Sequence, residues 1–69
     1  MVKRADPRFS VSEFESGQTY IVMEVFQGDD MDIFKNRSIG FDLPPGTTLE
    51  DAKQIADYLQ RHLLRVIEW

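Results

Sequence analysis

The segment at residues 43–51, Leu-Pro-Pro-Gly-Thr-Thr-Leu-Glu-Asp, constrains the fold of this chain more than any other. Its two consecutive prolines have no backbone N–H to donate, so they cannot extend a strand, and the glycine after them allows a tight turn. Either Thr47 or Thr48 can then serve as the N-cap of a helix, with Glu50 or Asp51 three residues further on as in a capping box. The segment therefore predicts extended structure before it and a helix after it.

The residues that follow have the periodicity of an amphipathic helix, which we predict over residues 48–67. Apolar side chains recur at spacings of three and four, and charged and amide side chains occupy the other side. Asp57 and Arg61 are spaced to form an ion pair across one helical turn. Because Ala52 and Ala56 are small, the helix can lie close to a sheet at its N-terminal half and further away at its C-terminal half. The predicted core residues of the helix are Leu49, Ala52, Ile55, Ala56, Leu59 and Leu63.

Three segments within residues 8–43 have the pattern of strands. The first starts at Arg8, and its phase breaks near Glu13, where a bulge or a strand end is expected. The second covers residues 19–26, which are rich in β-branched and aromatic residues, and the third covers residues 37–43. A turn at residues 15–18, with a glycine that can take a positive φ, joins the first two as a hairpin. The residues expected on the core side are Ile21, Met23, Val25, Ile39, Phe41 and Leu43.

These elements predict one small α+β domain over residues 1–69. Residues 1–7 are expected to form a flexible polar leader, and residues 8–43 a three-stranded antiparallel β-meander. One C-terminal α-helix then packs on one face of the sheet, giving the order βββα.

The second predicted strand is apolar on both of its faces, although one helix covers only one of them. Two explanations stay open for the other face. It is covered within the chain, by the segment Ile33–Phe34 or by Trp69, or it meets a second chain. The candidate partner-binding residues are accordingly Tyr20, Val22, Phe26, Phe34 and Trp69.

The size of the chain favours the second explanation. A single core in a chain of 69 residues rarely supplies more than about 3–5 kcal/mol of stability, and small domains commonly add disulfides, a metal or a partner subunit. The chain has no cysteine, which excludes disulfides and thiolate metal sites. We therefore expect a homodimer or a larger protein partner.

Composition weighs against several other classes of function. The formal charge of -4 disfavours nucleic acid, although basic residues at Lys3, Arg4 and Arg8 keep it as a second alternative. No apolar run reaches the roughly 20 residues of a membrane span, and residues 1–7 lack the apolar core of a signal peptide, so we expect a cytoplasmic protein without a membrane partner. We also predict no small-molecule ligand and no cofactor, because the glycine-rich nucleotide-binding motifs are missing.

Two features of the sequence bear on metal binding and catalysis. The carboxylates of Asp29, Asp30 and Asp32 lack the ligand spacing of a calcium loop, so we interpret them as a solvated turn and predict no metal. His62 is the one histidine of the chain. It would act as a general base only beside a nucleophile, and no serine lies in the glycine-flanked turn that is typical of a nucleophilic serine. We therefore predict that the chain is not an enzyme.

Residues 48–52, Thr-Leu-Glu-Asp-Ala, follow the predicted strands and open the helix, and they resemble the Thr-Leu-Glu-Glu-Ala stretch of HicB-type antitoxin domains. The resemblance covers about a dozen residues and implies a toxin as the protein partner. From the residues themselves, the leading prediction is a non-catalytic protein-interaction module that self-associates. An antitoxin-like inhibitor or regulator is the alternative.

Overall fold

The computed structural model describes residues 2–69 and is an α+β structure, as predicted. All strand pairs are antiparallel, and the strands lie in the order β3-β2-β1-β4. No helix in the part of the chain described is long and apolar enough to cross a membrane. The elements in chain order are strand β1 (Lys3–Glu13), strand β2 (Thr19–Gly28), a 3-10 helix (Asp32–Phe34), strand β3 (Ile39–Asp42), helix α1 (Leu49–His62) and strand β4 (Val66–Glu68).

The sheet has four strands, so the prediction of three is wrong. Helix α1 ends at His62 instead of reaching residue 67, and Leu63 is already extended. The chain then returns as β4 and pairs with Lys3–Ala5 at the start of β1. The same pairing corrects the predicted flexible leader, since residues 3–7 belong to β1. Consecutive β-branched residues at positions 66 and 67 suit a strand once an edge is available to pair with.

The predicted hairpin between the first two strands is confirmed. Strand β1 ends at Glu13, where the sequence phase breaks, and Gly17 takes a φ of 90° in the turn. The N–H of Phe14 donates to the carbonyl of Gln18 at 2.9 Å and closes the loop. An irregularity that the sequence did not predict lies at Asp6 and Pro7, where the register against β2 shifts by one residue.

The start of α1 resolves the choice between the two candidate N-caps. Thr48 is the N-cap, and its hydroxyl oxygen accepts the N–H of Asp51 at 3.1 Å. The hydroxyl of Thr47 instead donates to the carbonyl of Pro44 at 2.7 Å. Further along α1 the predicted ion pair forms, with Arg61 Nε 3.1 Å from the carboxylate of Asp57.

The strand register places the predicted core residues on one face, which α1 partly covers. Ile21 pairs with Phe41 on one side and with Val11 on the other, so these three side chains point the same way. At the other end of the same face the 3-10 helix supplies a cover that the sequence did not reveal. There Met31 and Phe34 pack against Ala5 in the cluster of buried residues.

Candidate protein-interaction site

An open groove lies between α1 and strands β2 and β3, and we call it the apolar groove. It has a volume of about 380 Å³. Every side chain that lines it is apolar, so it offers no group for acid–base chemistry or metal binding. The lining residues are Phe9, Ile21, Met23, Phe41, Leu43, Ile55, Leu59 and Leu63.

The groove exists because α1 packs mainly against β1 and makes fewer contacts with β2. Ala52 and Ala56 are buried, and their small side chains let the helix approach the sheet closely. The carboxamide of Gln60 then fastens the helix to β1. Its nitrogen donates to the carbonyl of Pro7 at 3.0 Å, and its oxygen accepts the N–H of Phe9 at 2.8 Å. The flank of α1 that faces β3 consequently stands apart from β2 and β3, and the space between them is the apolar groove.

Residues that the sequence assigns to the core therefore remain partly open to solvent in the groove. Phe41 is 44% exposed, Ile55 38% and Leu63 48%. Of the twelve predicted core residues, only Ile21, Ala52 and Ala56 are buried. The prediction of which residues share a face is correct, but the helix and the sheet of one chain do not close over them.

The solvent-accessible surface of the chain is larger than that of a typical folded monomer of the same mass. The chain exposes 5228 Å², whereas folded monomers of 8.1 kDa expose about 4500 Å². Its radius of gyration of 13.0 Å likewise exceeds the roughly 11 Å expected for a compact domain of 69 residues. About 700 Å² of surface is thus in excess of what an isolated monomer of this size presents.

Three of the five candidate partner-binding residues, Tyr20, Val22 and Phe26, lie on the sheet face opposite α1. Local contacts cover two of their rings in part. Phe14 stacks on Tyr20 with the ring centroids 4.3 Å apart, and the guanidinium of Arg8 lies 4.6 Å from the centroid of Phe26. The rings of Tyr20 and Phe26 on this face are therefore partly covered by side chains of their own chain.

The other two candidates lie elsewhere. Phe34 is buried on the α1 face with Ala5 and Met31, so it does not cover Tyr20. Trp69 is 89% exposed and does not fold back over the sheet. The structure therefore does not bring the five residues together into one surface. Sequence reasoning missed the apolar groove, although the small residues at positions 52 and 56 were a signal that α1 would approach the sheet unevenly.

Residues at the start of the chain connect β1 to the turn that follows β2. Asp29 accepts the backbone N–H of Arg4 at 2.9 Å, and Lys3 donates to the carbonyl of Asp30 at 3.0 Å. The ammonium of Lys3 also lies 3.9 Å from a carboxylate oxygen of Asp32. No group of three potential metal ligands occurs among residues 2–69. The contacts of Asp29 and Asp30 hold the turn between β2 and the 3-10 helix against the start of β1.

His62 lies on the exposed surface at the end of α1. Its ring packs against that of Tyr58, with the ring centroids 4.3 Å apart. Neither residue lines the apolar groove.

Comparison with family models, curated proteins and solved structures finds no match for this chain. The likeness of residues 48–52 to HicB-type domains therefore remains a local resemblance at a helix start.

Proposed function

We propose that this chain is a non-catalytic protein-interaction module that self-associates, with two copies meeting at their apolar grooves. The observation that carries the proposal is the groove itself, which leaves Phe41, Ile55 and Leu63 38–48% exposed. Large apolar side chains gathered in one open depression are typical of surfaces that bind another protein.

The amount of excess surface supports a second copy as the occupant. A standard protein–protein interface buries about 800 Å² on each partner, which is close to the roughly 700 Å² that this chain exposes beyond a monomer of its mass. A two-fold dimer brings the same patch of each copy together, so groove meets groove. The apolar core of such a dimer is shared between two chains that are each too small to build a large one.

The arrangement of basic residues supports this proposal over nucleic-acid binding. Arg65 lies 3.3 Å from the carboxylate of Asp6, and Arg61 is paired with Asp57. Lys3 lies within 4 Å of Asp32. Side chains that neutralise carboxylates of their own chain are less available to displace counterions from a phosphate backbone.

Sedimentation equilibrium of the wild-type chain tests the proposal. We expect a species of twice the 8.1 kDa chain mass at high micromolar concentration. Ile55→Arg places a charge in the groove and is expected to give a monomer, because burying an unpaired guanidinium at the interface is costly. Tyr58→Arg is the matched control, since Tyr58 is on the same helix, 60% exposed and outside the groove.

The control variant should sediment as the wild type does, and circular dichroism should show that both variants keep their helix and sheet. A wild-type chain that is monomeric at high micromolar concentration would overturn the proposal. So would a dimer that survives Ile55→Arg unchanged.

A further inference from the structure

The outer edge of β1 is only partly paired. Strand β2 pairs with β1 from Ala5 to Glu13 on one side, whereas β4 pairs on the other side only from Lys3 to Ala5. Backbone groups of successive residues in a strand point to alternate sides, and the N–H of Phe9 points outward, toward Gln60. Val11 and Glu13 therefore also direct their backbone groups outward. Within residues 2–69 no strand pairs with this stretch, which we call the β1 edge (Phe9–Glu13).

A slot runs along this edge on the side of α1 away from the apolar groove. Its volume is about 330 Å³, and its floor is formed by Phe9, Ser10 and Val11. The wall is a flank of α1 that is formed by Lys53, Ala56, Asp57 and Gln60. The slot thus combines unpaired backbone groups with a wall that includes one small residue, Ala56.

Gln60 indicates what kind of group this edge binds. Its single carboxamide satisfies the carbonyl of Pro7 and the N–H of Phe9, in the place where the backbone of a neighbouring strand would lie. An amide is the chemical equivalent of a peptide group, so the edge already binds one such group. Beyond it, the carbonyl of Phe9 and the backbone groups of Val11 and Glu13 are available for a further strand.

We propose that the β1 edge binds an extended peptide segment of a protein partner, which adds to the sheet as an antiparallel strand next to Phe9–Glu13. Main-chain hydrogen bonds provide affinity in this mode, and alternate side chains provide specificity. The residue opposite Val11 faces Ala56 and is β-branched and apolar. The residue opposite Glu13 is Lys or Arg, because opposite charges on directly paired residues stabilise a sheet and like charges destabilise it.

A peptide suits this edge better than a second folded copy. Neighbouring strands lie about 4.8 Å apart, whereas packed helices need about 8–10 Å between their axes. Because α1 lies along β1 and its Gln60 reaches the outer edge, pairing β1 with β1 of another copy would force the two helices too close together. An isolated strand brings no helix of its own.

A designed probe tests the proposal: the blocked heptapeptide acetyl-Thr-Lys-Thr-Val-Thr-Val-Thr-amide. Its central valine lies opposite Val11 and its lysine opposite Glu13. We expect hydrogen exchange at the amides of Val11 and Glu13 to slow when the peptide is added. The exposed amide of Glu15, in the turn outside β1, serves as an internal control and should not change.

Two methylated probes separate backbone pairing from side-chain contact. Methylating the amide nitrogen of the central valine removes the donor to the carbonyl of Val11, and we expect binding to fall about tenfold or more. Methylating the amide nitrogen of the following threonine, which points away from β1, should leave most of the binding intact. Equal loss with both probes would overturn the proposal.

Charge reversal tests the residue preference. Glu13→Lys should weaken binding of the lysine peptide by about two- to fivefold and strengthen binding of the same peptide with glutamate in that place. Glu15→Lys, in the turn outside β1, is the matched control and should change neither.

Protection of Val11 that rises with protein concentration in the absence of peptide would show that a second copy occupies the edge, and would overturn the peptide proposal. The test does not depend on dimerisation, because Ile55→Arg, which blocks the apolar groove, leaves the slot on the other flank of α1 unchanged. Failure of either proposal is thus distinguishable from failure of the other.

Discussion

At the scale of single residues, Gly28 holds the closest approach in the sheet. Its φ is +126°, and a Cβ built there would lie 2.6 Å from Cα of Ala5 and 2.8 Å from the carbonyl oxygen of Arg4. Ala5 is buried and paired with both β2 and β4, so its backbone cannot move away without disturbing two strands. Only a residue without a Cβ fits this position.

We predict that Gly28→Ala lowers the free energy of unfolding by about 2–4 kcal/mol, through backbone strain and the clash with Ala5. Urea denaturation followed by circular dichroism measures the loss. Gly17→Ala is the control, because Gly17 has a φ of +90° but no neighbouring atom within 4 Å of its Cβ position. It should cost about 1–2 kcal/mol from the backbone alone. Equal losses for the two variants would contradict the role of the clash.

Residue-level features were predictable where they depend on neighbours in sequence. The Asp57–Arg61 pair and the cap at the start of α1 each involve residues three or four positions apart. Gln60 was not predictable as an anchor, since the backbone it binds is 51 and 53 positions away. Nothing in the local pattern distinguishes it from the other polar residues of the helix.

At the scale of elements, Glu68 joins the last strand to the 3-10 helix. Its two carboxylate oxygens accept the N–H groups of Asp32 and Ile33, at 3.2 and 2.9 Å. These are donors at the start of a helical turn, which have no partner within the turn itself. The contact holds the 3-10 helix, with buried Met31 and Phe34, against the end of the sheet that α1 does not cover.

We predict that Glu68→Ala lowers the free energy of unfolding by about 1–2 kcal/mol, because both N–H groups lose their carboxylate acceptor and bind water instead. Glu68→Gln keeps one oxygen acceptor and should lose about half as much. Chemical denaturation of the three proteins measures the difference. An unchanged midpoint in Glu68→Ala would show that β4 and the 3-10 helix are not coupled through this side chain.

The end of α1 shows why element boundaries were harder to predict than element types. Leu63 and Val66 continue the apolar period of the helix, so the pattern predicts helix to residue 67. Yet Val66 is equally suited to a strand, and the edge offered by Lys3–Ala5 decides for the strand. The apolar period of a short segment gives no information about a strand edge that lies about 60 residues away in sequence.

At the scale of the whole molecule, the chain is elongated, with extents of 40 × 24 × 17 Å. One face of its sheet is covered at two places, by α1 and by the 3-10 helix, and the apolar groove lies open between α1 and β3. If two copies close their grooves against each other, folding and association are linked. Stability then depends on protein concentration.

We predict that the melting temperature of the wild-type chain rises by about 3–5 °C for each tenfold increase in concentration. Differential scanning calorimetry over a hundredfold range measures this rise. Ile55→Arg should melt at a lower temperature that does not change with concentration. A melting temperature of the wild type that is independent of concentration would argue against a dimer coupled to folding.

The sequence by itself determined the class of fold, the order of the first three strands and the helix, and which side chains share a face. These follow from periods of two and of 3.6 residues and from turn and cap chemistry, all of which act over a few positions. Only the tertiary structure decided that β4 exists, that α1 lies along β1, and that the apolar groove and the β1 edge are left open. Those features depend on contacts between residues far apart in sequence, where the close approach of Ala52 and Ala56 and the hydrogen bonds of Gln60 set the position of the helix.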